Sequence, residues 1–249
     1  MRYFLTLQYD GGAYFGWQRQ KGQLAVQQVI EEALTTLLRL PTEVVGAGRT
    51  DTGVSAARYV AHFDVEREIA DREQLIYKLN RILPRDIAVQ DVQPVSDEAH
   101  ARFSALEREY SYYIQAHKSP FMRDKVWYYP VALDLEKMNR AAEVLLEEED
   151  FTTFAKLNSS NKTNICHIKV ARWERLGDGT LRFTIRADRF LRNMVRAIVG
   201  TLVDVGRGRY TEEEFRAIVR SRDLSRSSSG APAEGLYLSD VKYSETLFK

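Results

Sequence analysis

The sequence has one cysteine, four scattered histidines, almost no net charge and no long apolar run. Each shortage excludes something. A single thiol, Cys166, rules out an intramolecular disulfide and fits a reducing compartment, so a cytoplasmic location is expected. Cys166 sits in NICHIKVARW, an alternating run, and reads as a small buried filler rather than a nucleophile. His62, His100, His117 and His167 form no HExxH pattern and no Cys/His cluster, so no metal site is expected. His62, in YVAHFDV, alternates with apolar residues and reads as structural. GAGRTD lacks the third glycine of GxGxxG, and GxxxxGK[ST] does not occur, so no nucleotide cofactor is expected. No segment approaches the roughly 18 to 20 apolar residues of a membrane span. The N-terminal MRYFLTLQYDGG alternates like a strand and lacks the continuous apolar stretch of a signal peptide.

What is present is an ordinary globular composition, 44% hydrophobic and 29% charged, in 249 residues. That length allows one large domain or two modest ones. The net charge of +1 hides an asymmetry. From Arg182 to Arg209 there are seven arginines against Asp188 and Asp204, whereas EVLLEEED, residues 143–150, carries five acids and no base. A concentrated arginine surface points to a local anionic partner, and a solvated helix face is the plainer alternative.

Periodicity predicts strands at 2–9, 43–48, 57–65 and 86–94 and helices at 26–39 and 71–82, a first half ending near Ser104. The second half opens with the strand EREYSYYIQAHKSPF. It continues with a helix at 134–147, a short one at 148–156, and strands at 164–175 and 180–188 turning at Gly177-Asp178-Gly179. Helices at 189–205 and 211–221 and a last strand, GLYLSDVKY, close the chain. RYFLTLQYDG and REYSYYIQAHK echo each other. The predicted fold class is therefore α+β, two similar α/β sandwich halves (1–104 and 105–249) forming a mostly antiparallel sheet, with helices on one face and the other face open for binding. In RFLRNMVRAIVGTLVDVG, Arg189, Arg192 and Arg196 are spaced to share one helix face, and Leu191, Val195, Ile198 and Leu202 form the packed side. Gly200 leaves room there for another element. SRDLSRSSSGAPAEGLYL reads as a mobile surface loop.

The segment VVGAGRTDTGVSA, residues 44–56, holds one carboxylate, Asp51, among Gly46, Gly48, Gly53 and a single arginine, Arg49. Asp51 can cap the turn or pair with Arg49. Alternatively, the glycines let the backbone present a reactive carboxylate to a ligand.

At this segment the chain resembles the tRNA pseudouridine synthase A family, and the resemblance extends over essentially its whole length. It rests on ordered blocks: YDGGAYFGWQRQ at 9–20, VQQVIEEAL at 26–34, GAGRTDTGVSA at 46–56, ARFSALEREYSYYI at 101–114, FLRNMVRAIVGTLVDVG at 190–206 and AEGLYL at 233–238. The resemblance implies a cofactor-free homodimeric enzyme that converts uridine to pseudouridine at nucleotides 38, 39 and 40 of the tRNA anticodon stem-loop, and it makes the open face an RNA-binding cleft. Asp51 matches the catalytic aspartate, which attacks the sugar in one route and the base in another. Tyr110 matches the active-site tyrosine that packs on the flipped uracil. Arg196 matches the basic residue that pairs with the aspartate, Arg49 the arginine linked to base extrusion, and Leu236 an apolar pocket residue. Arg189 and Arg192 are expected to hold phosphates on the arginine face. The family often has His where Ser55 stands and Gln where Tyr59 stands; neither position carries its covalent chemistry.

The chemistry needs no redox cofactor. A glycosidic bond must break and a carbon–carbon bond must form, which a carboxylate can serve as nucleophile or cation stabiliser. Extruding the base costs a few kcal/mol, of which stacking on an aromatic returns about 1 to 3 kcal/mol. A non-catalytic RNA-binding protein would not need Asp51, Tyr110 and Arg196 together. A phosphate-binding hydrolase would need a metal cluster or a recognisable base.

Overall fold

The run RYFLTLQY forms strand β1 (Arg2–Tyr9), which is buried on both faces over Tyr3–Leu5 because it is a middle strand. It pairs antiparallel with β3 (Ser55–Asp64) on one side and β4 (Ile87–Val95) on the other. The short β2 (Val45–Gly46) adds to β3, and β9 (Leu236–Lys242) lies on the other edge of β3. Helix α1 (Val26–Leu38) buries Val26, Ile30, Ala33 and Leu34, a stripe at helical spacing, and ends where Arg39 turns left-handed at φ 58°. Helix α2 (Arg72–Ile82) starts at Asp71, whose carboxylate accepts from the Gln74 amide at 2.8 Å, and packs on β4.

This computed structural model describes residues 1–156 and 162–249, which fall into two units: Met1–Glu107 with Leu238–Lys249, and Arg108–Tyr237. The sequence predicts a second half running unbroken from 105 to 249. Instead the C-terminal residues group with the first unit, for visible reasons. Phe248 packs edge-on against Phe4, the Ser96 amide donates to the Leu247 carbonyl at 2.8 Å, and the Tyr243 hydroxyl donates to the Ala101 carbonyl at 2.5 Å.

In the second unit β5 (Glu107–Gln115), β8 (Leu181–Ala187) and β7 (Ile168–Arg175) run antiparallel in that order, and β6 (Trp127–Tyr128) joins β5 in parallel. The β7–β8 turn falls at the predicted Gly-Asp-Gly: Gly179 takes φ 83° and the Asp178 carboxylate accepts from the Thr180 amide. Helix α3 (Leu135–Glu147) is capped by Asp134 and packs on β7. Helices α4 (Met194–Gly206) and α5 (Glu212–Arg220) lie against α3. Thr211 and Glu214 make a reciprocal capping box at the start of α5.

Several expectations need correction. The strand at 43–48 shrinks to Val45–Gly46, and the helix at 148–156 is only a 3-10 turn, Thr152–Phe154. The arginine helix begins at Met194 rather than 189, because Asn193 sits left-handed at φ 65° and the Asp188 carboxylate holds the Arg189 and His167 amides ahead of it. Arg189 and Arg192 therefore lie outside the helix and share no helix face with Arg196. The packed side is as expected: Leu191, Val195, Ile198 and Leu202 are buried. The Ser/Gly-rich segment is no loose loop. Ser228 donates to Asp204 at 2.6 Å, the Ala231 amide donates to the Arg196 carbonyl at 2.9 Å, and the Ser229 carbonyl fills the space left by Gly200.

Candidate active site

Asp51 sits on a turn that is tied down on both flanks. On the N-terminal side the Ala47 amide donates to the Val60 carbonyl at 2.8 Å, and the Tyr59 hydroxyl donates to the Gly48 carbonyl. The Thr50 hydroxyl bonds that of Tyr9 at 2.8 Å, and the Thr50 carbonyl accepts from the Trp17 amide at 3.2 Å. On the C-terminal side the Asp51 carbonyl accepts from the Val54 amide, and Gly53, at φ 78°, donates to the Tyr14 carbonyl. The turn thus spends its main-chain groups on the scaffold and shows Asp51 half-buried and Arg49 exposed. The partners Tyr9, Tyr14 and Trp17 all belong to YDGGAYFGWQRQ. This block is the cradle of the GRTD turn, which their separation in sequence conceals.

The three glycines of the turn serve different needs. Only Gly53 uses a left-handed φ, which a side chain would strain. Gly46 is needed for space: a Cβ there would run into the Tyr59 hydroxyl and come within 2.6 Å of the Trp17 indole. Those two rings are buried and stacked with centroids 4.0 Å apart, so the room lies on the scaffold side and not toward a ligand. Ser55 and Tyr59, where the chain departs from the family pattern, also point inward. Ser55 accepts from the Gly11 amide at 3.0 Å, and Tyr59 is fully buried.

In the second unit Tyr110 lies half-buried on β5, opposite Ile185 of β8. Its ring meets that of Phe190 at 89°, centroids 5.2 Å apart, which fixes its orientation. Arg196, in the first turn of α4, does not end in an exposed face. Its Nε donates to the Ala231 carbonyl at 2.6 Å, which ties the side chain to the segment 228–232. The same segment is held from below by Tyr112, whose hydroxyl donates to the Pro232 carbonyl at 2.8 Å. Burial, then the charge of Glu234, pushes the Tyr112 phenol well above its usual range, so it stays a donor. Gly235 rests on the Tyr112 ring, and Leu236 follows it, buried. Sequence reasoning missed Trp17, Tyr59, Phe190 and Tyr112. Trp17, Tyr112 and Phe190 were signalled only by their places within the recognised blocks, and Tyr59 only as a departure from the family pattern.

The arginine concentration is largely neutralised. Arg182 pairs with Glu174 at 2.8 Å, Arg186 with Glu109, and both Arg207 and Arg209 with Asp204. Three of the five acids of 143–150 are matched too: Glu147 with Arg216, Glu148 with Arg220 and Asp150 with Arg222. Arg189 donates to the Thr163 carbonyl at 3.3 Å, and Arg192 is exposed. Cys166 is buried, its thiol pushed up to about 12 mainly by burial, which suits a filler and not a nucleophile. Among the described residues no group of three or more His, Cys, Asp or Glu could hold a metal ion, and no helix is long and apolar enough to cross a membrane.

Comparison with known proteins matches residues 6–104 and 141–244 to a family model described as tRNA pseudouridine synthase. The chain is 52% identical over 247 residues to tRNA pseudouridine synthase A of Parabacteroides distasonis, covering 99% of this chain and 98% of that protein. It is 50% identical to the protein of that name from Bacteroides thetaiotaomicron, over 99% of this chain and 92% of that one. With that of Gloeobacter violaceus it shares 41% identity, over 100% of this chain and 82% of the other.

Proposed function

The chain belongs to the tRNA pseudouridine synthase family, and on that premise we propose that it isomerises uridine to pseudouridine at nucleotides 38, 39 and 40 of the anticodon stem-loop, with Asp51 as nucleophile. It is an enzyme, an isomerase whose substrate is tRNA. The C1′–N1 bond of the target uridine breaks, the freed uracil turns, C1′ bonds to C5, the C5 proton leaves to solvent and N1 takes up a proton in its place, so the product is an isomer and the Asp51 carboxylate is released unchanged. Asp51 attacks the nucleotide, at the sugar or at the base. Tyr110 receives the flipped ring, Arg196 balances the carboxylate, Arg49 helps extrude the base, and Leu236 lines the apolar side of the pocket. Arg189 and Arg192 bind phosphates.

One observation carries the assignment to Asp51: the turn around it is held by five neighbours at its main chain and at Thr50, while the carboxylate stays only half-buried. A carboxylate that must meet a reacting atom within a fraction of an ångström needs such support. A plain turn cap does not. The test is release of tritium from tRNA labelled at uracil C5. Asp51→Asn keeps size and capping ability but loses the nucleophile. Release should fall below detection while folding and tRNA affinity stay near wild type. Release at a tenth of the wild-type rate would remove Asp51 from the chemistry.

The working form we propose is a cytoplasmic homodimer, one subunit helping to hold the tRNA that the other modifies. Light scattering at micromolar concentration should give twice the chain mass, and an active monomer would overturn this.

A further inference from the structure

The turn between β4 and β5 displays an aromatic ring to solvent and holds it still. Phe103 is 76% exposed, the most exposed large hydrophobic residue of its unit. Single exposed apolar residues are ordinary, and they usually ride on loose loops. This one does not. The His100 amide donates to the Ser104 hydroxyl at 3.0 Å, and the Ser104 amide returns to the His100 carbonyl at 2.9 Å. His100 Nδ1 accepts from the amides of both Arg102, at 3.1 Å, and Phe103, at 3.3 Å. Between them Ala101 is fully buried, its amide bonded to His62 and its carbonyl to the Tyr243 hydroxyl.

The ring is also flanked. The His100 imidazole lies 4.4 Å from it at 36°, and the Arg102 guanidinium carbon stands over the ring, 5.6 Å from its centroid. A fixed ring carrying a planar cation over it matches the two surfaces of an unpaired nucleotide: ring and guanidinium are flat surfaces on which a base can stack, and the guanidinium charge suits the phosphate. The turn His100–Leu106 itself carries no acid, and of the acids that flank it Asp97 is paired with Lys249 and Glu107 with Lys242.

We propose that the turn His100–Ser104 is a stacking platform for an unpaired base of the RNA substrate, with Phe103 as the receiving ring and Arg102 as the adjacent cation. The inference rests on tRNA being the substrate, and it adds a contact outside the residues assigned to chemistry. Stacking on an aromatic is sequence-tolerant, so the platform positions the loop and does not select a base.

Phe103→Leu keeps an apolar side chain and removes the π-face; Phe103→Trp enlarges it. With unmodified tRNA in filter binding at several salt concentrations, Phe103→Leu should weaken affinity about tenfold. Phe103→Trp should hold or tighten it. The salt slope should be unchanged in both, because no phosphate contact is lost. Thermal midpoints should match wild type. Equal affinity in the Phe103→Leu variant overturns the platform, as does a loss that follows a lowered midpoint. A halved mass in light scattering with unchanged tRNA affinity would also overturn it and make the ring a contact between two copies of the chain. The broader functional reading fails separately, if wild-type protein releases no tritium from labelled tRNA.

Discussion

Gly200→Ala separates helix propensity from tertiary packing by the sign of its effect. In an isolated helix this change adds about 1 kcal/mol, since alanine is the better helix former. In the middle of α4 it should do the reverse. The new Cβ collides with the Ser229 carbonyl oxygen and lies 3.4 Å from the carbonyl carbon. To reach an ordinary carbon–oxygen contact the segment 228–232 must withdraw by about 1 Å. That withdrawal pulls on four hydrogen bonds: Ser228 to Asp204 and to Thr201, Ala231 to the Arg196 carbonyl, and Arg196 Nε to the Ala231 carbonyl. Losing two of them costs about 2 kcal/mol, and overpacking adds about 1 kcal/mol or more. Less the helix gain, a net loss of about 1 to 3 kcal/mol follows. Urea denaturation should show a lower midpoint with unchanged slope. Tritium release should also slow at temperatures where the variant is fully folded, because the Arg196 side chain has lost its anchor. A variant as stable as wild type, or more stable, would refute the account of how this segment is held.

Two further outcomes are expected. Tyr59→Phe keeps the stack on Trp17 but frees the Gly48 carbonyl, so stability should drop by about 1 kcal/mol. Its turnover should fall several-fold at unchanged KM; a rise in KM alone would mean the hydroxyl does not position the Asp51 turn. His62 should set part of the acid sensitivity. Burial first, then Arg2 and His100 against the weaker pull of Asp64, lowers its pKa to about 4 from 6.5. The fold therefore favours the neutral ring, and the unfolded chain binds the extra proton first. Stability is complete above pH 6.5 and falls as pH drops toward 4, by on the order of 3 kcal/mol in total. In His62→Asn, which can still accept from the Ala101 amide, that slope should flatten; parallel urea midpoints for the two proteins between pH 7 and pH 4.5 would refute it.

Most elements were legible because their signals are local. A helix needs a stripe at fixed spacing and a cap within one turn, as in α2 with Asp71, α3 with Asp134 and α5 with Thr211. The Gly-Asp-Gly hairpin is equally local. Candidate chemistry was legible as residue types, since Asp51 and Arg49 are the only ionisable groups in their segment. The sequence by itself therefore determined the order of elements, the buried stripes and the family.

What the tertiary structure decided are choices between partners distant in the chain. That α4 begins at Met194 depends on Asp188 capturing the amides of Arg189 and His167, a contact spanning β7 and β8. Whether an arginine is free to bind an anion or is spent on a carboxylate cannot be counted from a run of residues. Arg186 meets Glu109 only because β8 pairs with β5. The Ser/Gly segment reads as mobile until Gly200 and Tyr112 are seen beneath it. The Asp51 turn is the clearest case. Its glycines and lone carboxylate are visible in sequence, but its rigidity comes from Tyr9, Trp17 and Tyr59, which touch it only once β1 and β3 have paired. Spacing along a chain encodes which face a side chain takes; which neighbour then waits on that face is set by the fold.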